Sequence, residues 1–146
     1  MAECMKRGGY KTALIGKWHI EVDPALLGFD YALYPNVIHR HYKQEYVEND
    51  GEPFVVDEFA PDFELAKLQS FLSDNKAHPF FLYYNISQPH QPIGTEHCPD
   101  RFHNIYSKET VPIRANVPKE DKIQRIEEWF KVYTKDDFWW GCPRFC

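Results

Sequence analysis

The sequence predicts an α/β fold with a parallel βαβ core, flanking helices and long loops. Residues 12–15 are short, apolar and partly β-branched, as expected of a strand buried on both faces. Residues 79–86 form a second, continuous apolar run, which is typical of a central strand. An amphipathic helix is predicted between them, opened by residues 60–62 and ending near Asn75. A strand, a crossover helix and a second strand make a βαβ unit, so the two strands should be parallel.

The other elements are predicted from turn-forming residues and from hydrophobic periodicity. Residues 2–7 have helix-forming composition, and the helix should end at Gly8 and Gly9, which can adopt the left-handed conformation. Residues 29–56 are aromatic, polar and aperiodic, so they predict a long loop with one hairpin around the turn at 49–51. The helix between residues 60 and 75 should bury the face formed by Leu65, Leu68 and Leu72.

The last third of the chain is predicted to contain one loop and one helix. Five prolines between residues 87 and 118 indicate a loop. Ile123, Ile126 and Phe130 lie along one stripe and predict an amphipathic helix over 119–133. The tail at 136–146 is aromatic and has no clear element.

The composition excludes several classes of partner. The net charge is −5 and no basic stripe is visible, which argues against nucleic acid. No apolar stretch approaches the ~18 residues of a membrane span, and the first residues lack the pattern of a signal peptide. The four cysteines, at positions 4, 98, 142 and 146, leave disulfides and the redox compartment open.

Three side chains that can carry positive charge follow the two predicted strands. On an extended chain Lys17 and His19 point to one side and Trp18 to the other. The second strand leads to His90, and the prolines at 89 and 92 restrict the backbone around it. Parallel strands end at one edge of a sheet, where open α/β sheets bind ligands, so Lys17, His19 and His90 should lie together. Such a group can contact the oxygens of a tetrahedral anion, and one imidazole can act as general acid or base.

Four sequence elements, in the same order, resemble the formylglycine-dependent sulfatases. The segment GYKTALIGKWH at residues 9–19 is similar to the family's second signature, GYxTxxxGKWH, and GFDY at 28–31 resembles the element that follows it. The segments PFFLY at 79–83 and PHQP at 89–92 are similar to a strand and loop of that family. Residues 106–118 resemble the segment downstream, so the resemblance covers most of the chain.

The resemblance implies an alkaline-phosphatase-like α/β fold and hydrolysis of sulfate esters. In that family a cysteine or serine is converted to formylglycine, whose hydrate attacks sulfur, and a divalent cation, usually Ca²⁺, neutralises the sulfate oxygens. Carried over by motif, Lys17 would contact the sulfate and the nucleophile, and His90 the sulfate oxygens near the leaving group. His19 would hydrogen-bond the formylglycine hydrate and act as the base that regenerates the aldehyde. The implied partner is a sulfated small molecule or sulfated glycan.

The chain departs from the family pattern at the nucleophile and at the metal ligands. The family's nucleophile lies in CxPSR or a close variant, which the sequences at Cys4, Cys98 and Cys142 do not match. The pair at 136–137 is a poor match for the family's Asp-Asp metal ligands, because it does not end an apolar strand. We therefore expect residues 1–146 to be one incomplete segment of a sulfatase domain, inactive on its own.

Two other functions stay open at this point. The first is a non-catalytic module that binds sulfated ligands, or a truncated remnant; the second is a phosphonate or phosphodiester hydrolase of the same superfamily. His39 and His41 have the spacing of two metal ligands on an extended segment, but without supporting cysteines or carboxylates a surface loop is the better interpretation. The same holds for His97 and His103. Residues 85–87 match a glycosylation sequon at a buried strand end, and we expect no modification there.

Overall fold

The computed structural model describes residues 1–36, 40–90, 94–103 and 105. The chain divides into two compact units, Met1–Cys98 and Pro99–Cys146. The first unit contains the helices α1 (Ala2–Arg7) and α2 (Ala60–Asn75). It also contains the strands β1 (Lys11–Gly16), β2 (Tyr31–Pro35), β3 (Gln44–Glu48), β4 (Phe54–Val56) and β5 (Phe80–Asn85). Short 3₁₀ helices occur at Pro24–Leu27 and Thr95–His97, and the second unit has one at Asp100–Phe102.

The five strands form one mixed sheet in the order β4-β3-β2-β1-β5. β1 is parallel to both β2 and β5, whereas β3 is antiparallel to both β2 and β4. β1 and β5 run in register from Lys11 opposite Phe80 to Gly16 opposite Asn85. The α/β class and the parallel pair of strands flanking a helix are therefore confirmed.

β1 is buried on both faces, as its apolar composition predicts. Leu14 joins one buried cluster, with Ala2 of α1 and Phe29. Ile15 joins the cluster on the opposite face, with Leu33 and with Ala60 of α2. Each face of the sheet is thus covered by one helix, and β1 is fixed between them.

The prediction of a long loop with one hairpin over residues 29–56 is wrong. Three strands, β2, β3 and β4, lie within this segment. Ala32 and Leu33 are both buried although they are neighbours, because β2 packs on both faces and so shows no alternation. The hairpin is confirmed between β3 and β4, where the amide of Gly51 donates to the carbonyl of Glu48 (3.0 Å).

Helix α1 ends as the two glycines predict. Gly9 has φ of +84°, and its amide donates to the carbonyl of Lys6 (3.0 Å). The amide of Tyr10 donates to the carbonyl of Met5 (3.1 Å), and the two bonds together form a Schellman motif. The chain is thereby turned directly from α1 into β1.

Helix α2 spans Ala60–Asn75, as predicted. Leu68 packs on the buried cluster, but the fully buried positions are Ala60 and Glu64 rather than Leu65. Leu65 is 46 % exposed, whereas Glu64 is 2 % exposed. The hydroxyl of Tyr46 donates to Glu64 Oε1 (2.8 Å) and that of Tyr84 to Glu64 Oε2 (3.4 Å). The prediction that Leu65 is buried is wrong because hydrogen bonds from the sheet allow a carboxyl to occupy the interior position.

The remaining predicted elements fall partly outside the described residues. Within the loop predicted over 87–118, the described residues include the 3₁₀ helices Thr95–His97 and Asp100–Phe102. The helix predicted over 119–133 and the tail at 136–146 lie outside the described residues. No helix among the described residues is both long and apolar enough to cross a membrane.

Candidate functional site

Lys17 lies where β1 ends, bonded to the end of β5. Its backbone amide donates to the carbonyl of Asn85 (2.7 Å), and Asn85 Nδ2 donates to the carbonyl of Lys17 (2.9 Å). These two bonds extend the pairing of the parallel strands beyond Gly16. The position of the Lys17 backbone is therefore set by the sheet itself.

Glycine is required immediately before Lys17. Gly16 has φ of +91°, which side-chain-bearing residues rarely adopt. A Cβ at this position would overlap the carbonyl oxygen of Asn85 and would lie 3.5 Å from Glu64 Oε2. The strand thus leaves the sheet in contact with the backbone of β5.

Trp18 and its two neighbours occupy different environments. The Trp18 ring packs edge-to-face on Phe29, with 6.0 Å between ring centroids, and its Nε1 donates to the carbonyl of Val22 (3.0 Å). Lys17 is half-buried and His19 is exposed. The partly buried indole anchors the segment between the two side chains that can bind an anion.

His90 lies in a turn that follows β5. The amide of His90 donates to the carbonyl of Ser87 (2.9 Å), and the peptide bond between Gln88 and Pro89 in the turn is cis. The His90 side chain is half-buried. The turn places His90 shortly after the end of β5, the neighbour of the strand that ends at Lys17.

Lys17 and His90 both act electrostatically on His19. The pKa of His19 is lowered, first by partial desolvation and then by the positive charges of Lys17 and His90. A charge has this effect only within a short range at physiological ionic strength. The lowered pKa favours the neutral imidazole, which can accept a proton near neutral pH.

The described residues do not fit a divalent cation or a formylglycine precursor at this edge. They contain no group of three or more His, Cys, Asp or Glu side chains arranged to hold a metal ion. Cys4 lies in α1, before the opposite end of β1, and six residues of strand at ~3.3 Å each separate the two ends. Cys98 is half-buried beside His97. The acidic pair at 136–137 and Cys142 lie outside the described residues.

The sequence favoured a surface loop for His41, but His41 is a buried residue of the loop between β2 and β3. It is 5 % exposed, and its Nδ1 lies 2.7 Å from Nε2 of Gln88, two residues before His90. The His97 ring centroid is 6.0 Å from that of His41. His39 lies outside the described residues. Sequence reasoning missed this contact because His41 and Gln88 are separated by 47 positions and no motif joins them.

His103 lies in the second unit. Its Nδ1 is 3.5 Å from Asp100 Oδ1. The residue is exposed, in agreement with the predicted surface position. The Asn85 side chain, which belongs to the sequon, is engaged with the Lys17 carbonyl. The absence of glycosylation there stays a prediction.

Comparisons with known proteins agree on one family. The family model described as Sulfatase matches residues 1–128. An ulvan-active sulfatase from Formosa agariphila is 29 % identical over 151 aligned positions, covering 92 % of this chain and 28 % of its own length. An N-acetylglucosamine-6-O-sulfatase from Bacteroides thetaiotaomicron is 32 % identical, covering 60 % of this chain and 16 % of its own length. The chain therefore spans less than a third of either relative.

Solved structures give the same fold. A protein in complex with its substrate, D-glucosamine-2-N,6-O-disulfate, superposes with a TM-score of 0.55 at 32 % identity. The superposition covers 62 % of this chain and 18 % of that protein. A second structure, from the glycosaminoglycan metabolism of Bacteroides thetaiotaomicron, gives a TM-score of 0.57 at 21 % identity, covering 66 % of this chain and 26 % of its own, and supports the fold alone. With most of its length matched by the family model, the chain belongs to the sulfatase family.

Proposed function

We propose that the chain is a segment of a sulfatase in which Lys17, His19 and His90 contact the sulfate group of a sulfate ester during hydrolysis. The observation that carries the proposal is the junction of β1 and β5. Adjacent parallel strands end together there, and Lys17 and His90 both lower the pKa of the His19 imidazole. This is the edge at which open α/β sheets bind ligands.

Each of the three side chains has a role that suits its environment. The Lys17 ammonium neutralises a sulfate oxygen, and His90 hydrogen-bonds the oxygens on the side of the leaving group. His19, whose pKa is lowered, is neutral near pH 7 and can accept a proton as a base. We infer that the nucleophile and the metal ligands come from other parts of the protein, because the described residues do not fit them.

The substrate we propose is a sulfated saccharide. One relative is named as an N-acetylglucosamine-6-O-sulfatase, and one structural neighbour was solved with a disulfated glucosamine as its substrate. Both match this chain at 32 % identity. Sulfated amino sugars are therefore the first substrates to test.

The anion site is tested by NMR titration of the 146-residue chain with sodium sulfate at constant ionic strength, sodium chloride serving as the reference. We expect sulfate to shift the ring signals of His19 and His90, and Lys17→Ala to weaken sulfate binding about tenfold, as the loss of a charge-assisted hydrogen bond predicts. Lys17→Ala should also raise the pKa of His19, because one of the charges that lower it is removed. Lys76→Ala, an exposed lysine after α2, is the matched control. Sulfate binding no stronger than chloride binding would contradict the proposal.

Binding without turnover is the second candidate function for the chain as it stands. The described residues contain neither a matching nucleophile nor a metal site, which favours this alternative. We expect no hydrolysis of an aryl sulfate, an aryl phosphonate or an aryl phosphodiester by the purified chain. Calcium-dependent hydrolysis of the sulfate that is lost in Lys17→Ala would show that the chain is itself a catalyst.

A further inference from the structure

We propose that His41 is a positioning residue for His90. Its imidazole holds Gln88 and thereby fixes the turn that presents His90 to the bound sulfate. This role rests on the proposed function of His90. His41 lies in the connection between β2 and β3, whereas Gln88 and His90 follow β5. The sulfate-contacting residues of the two strand ends are thus supported by a third segment of the chain.

The contact between His41 and Gln88 is short and partly buried. Gln88 Nε2 lies 2.7 Å from His41 Nδ1, and His41 is 5 % exposed. An amide nitrogen is a donor, so Nδ1 of a neutral His41 accepts the bond. With the carboxamide reversed, the Nδ1–H group would donate to Oε1 instead, so either orientation joins the two side chains.

Gln88 attaches the turn that holds His90 to the interior. A backbone bond from the amide of His90 to the carbonyl of Ser87 (2.9 Å) closes this turn. Within the described residues Gln88 Oε1 is buried and has no hydrogen-bond partner. Burying a carboxamide costs free energy unless its polar atoms are bonded, so the bond to His41 offsets that cost.

His41 can act as an anchor because it is itself held in place. Its carbonyl accepts a hydrogen bond from the amide of Ala60 (2.8 Å), the first residue of α2. Its ring packs against Phe59, with 6.5 Å between centroids. The helix that covers the sheet therefore fixes His41, and His41 fixes the turn.

Three variants separate the hydrogen bond from the packing. His41→Phe keeps an aromatic ring but loses the nitrogen; His41→Asn keeps an acceptor close to the position of Nδ1. Gln88→Leu removes the carboxamide at similar volume and tests the same bond if His41→Phe fails to fold. We expect His41→Phe and Gln88→Leu to weaken sulfate binding by the 146-residue chain about fivefold, and His41→Asn to restore most of it. His78→Phe, at an exposed histidine after α2, is the matched control.

A double-mutant cycle shows whether His41 acts through His90. In a His90→Ala chain, His41→Phe should change sulfate binding less than twofold, although it still lowers thermal stability. Hydrogen exchange of the His90 amide gives a second readout that needs no ligand. This amide should lose protection in His41→Phe and Gln88→Leu and keep it in His41→Asn.

The two proposals fail in different ways. If the unmodified chain does not prefer sulfate to chloride, the proposed function fails, while the exchange of the His90 amide still tests the anchor. If sulfate binds and depends on His90, but neither His41→Phe nor Gln88→Leu changes binding or exchange, the positioning role is wrong. An undiminished effect of His41→Phe in the His90→Ala chain would likewise overturn it.

Discussion

Gly16 and Gly9 both have positive φ but different surroundings. Comparing alanine substitutions at the two positions therefore distinguishes the cost of backbone strain from the cost of steric overlap. A Cβ at Gly16 would overlap the Asn85 carbonyl, whereas a Cβ at Gly9 would have no atom within 4 Å. The left-handed conformation alone costs a residue with a side chain about 1–2 kcal/mol. At Gly16 the overlap with the backbone of β5 adds to that cost.

We therefore expect Gly16→Ala to lower the free energy of unfolding by about 3 kcal/mol or more, and Gly9→Ala by about 1 kcal/mol. Urea denaturation of the two variants and the unmodified chain measures both changes. Since Gly16 precedes Lys17, Gly16→Ala should also weaken sulfate binding, and Gly9→Ala should not. Equal losses of stability would show that overlap with Asn85 contributes nothing.

At the scale of elements, the sequence predicted the two strands that contain a continuous apolar run. The strand at 11–16 contains the run 13–15 and the strand at 80–85 the run 80–84, and their pairing follows from the helix between them. Strands β2, β3 and β4 were missed because they are stabilised by contacts with residues distant in the sequence, which local hydrophobic periodicity does not show. Tyr46 of β3, for example, is fully buried, but its hydroxyl is bonded to Glu64 of α2. Such a tertiary hydrogen bond has no local signal.

Glu64 gives helix α2 a pH-dependent contribution to stability. Burial raises the pKa of Glu64 above its ordinary value, and the bonds from Tyr46 and Tyr84 offset only part of this effect. The stability that the protonated carboxyl contributes is fully present below the unfolded value of 4.5 and is lost as the pH rises through the folded pKa. An amide at this position would not titrate.

We expect Glu64→Gln to gain stability relative to the unmodified chain as the pH rises above about 4.5. Glu64→Leu should instead lose about 1–3 kcal/mol, because it leaves the buried Tyr46 hydroxyl without its acceptor. Urea unfolding at several pH values measures both effects, with the exposed Glu21→Gln as control. A pH-independent difference between Glu64→Gln and the unmodified chain would mean that Glu64 does not titrate abnormally.

At the scale of the whole molecule, the sequence indicated the sheet edge of the candidate site but not what supports it. The choice of Lys17, His19 and His90 as site residues could be predicted from the strand ends and from the family motif. The anchor formed by His41 and Gln88 does not, since it joins segments 47 positions apart. The exposure of β5 was missed for a related reason. An apolar run predicts burial, but it does not identify which elements cover it.

The 146-residue chain has an exposed apolar strand edge that favours self-association. Within the described residues β5 lies at the edge of the sheet, and Phe80, Tyr83 and Ile86 at this edge are 40–45 % exposed. An apolar edge strand offers unpaired backbone groups to another chain. We therefore expect concentration-dependent association in light-scattering measurements, reduced by Tyr83→Lys.

Val55→Lys, at an exposed residue of the three-residue edge strand β4, is the matched control. It should have less effect, because so short a strand offers fewer backbone groups. A monomer at all concentrations, or equal effects of the two lysines, would show that the β5 edge does not drive association.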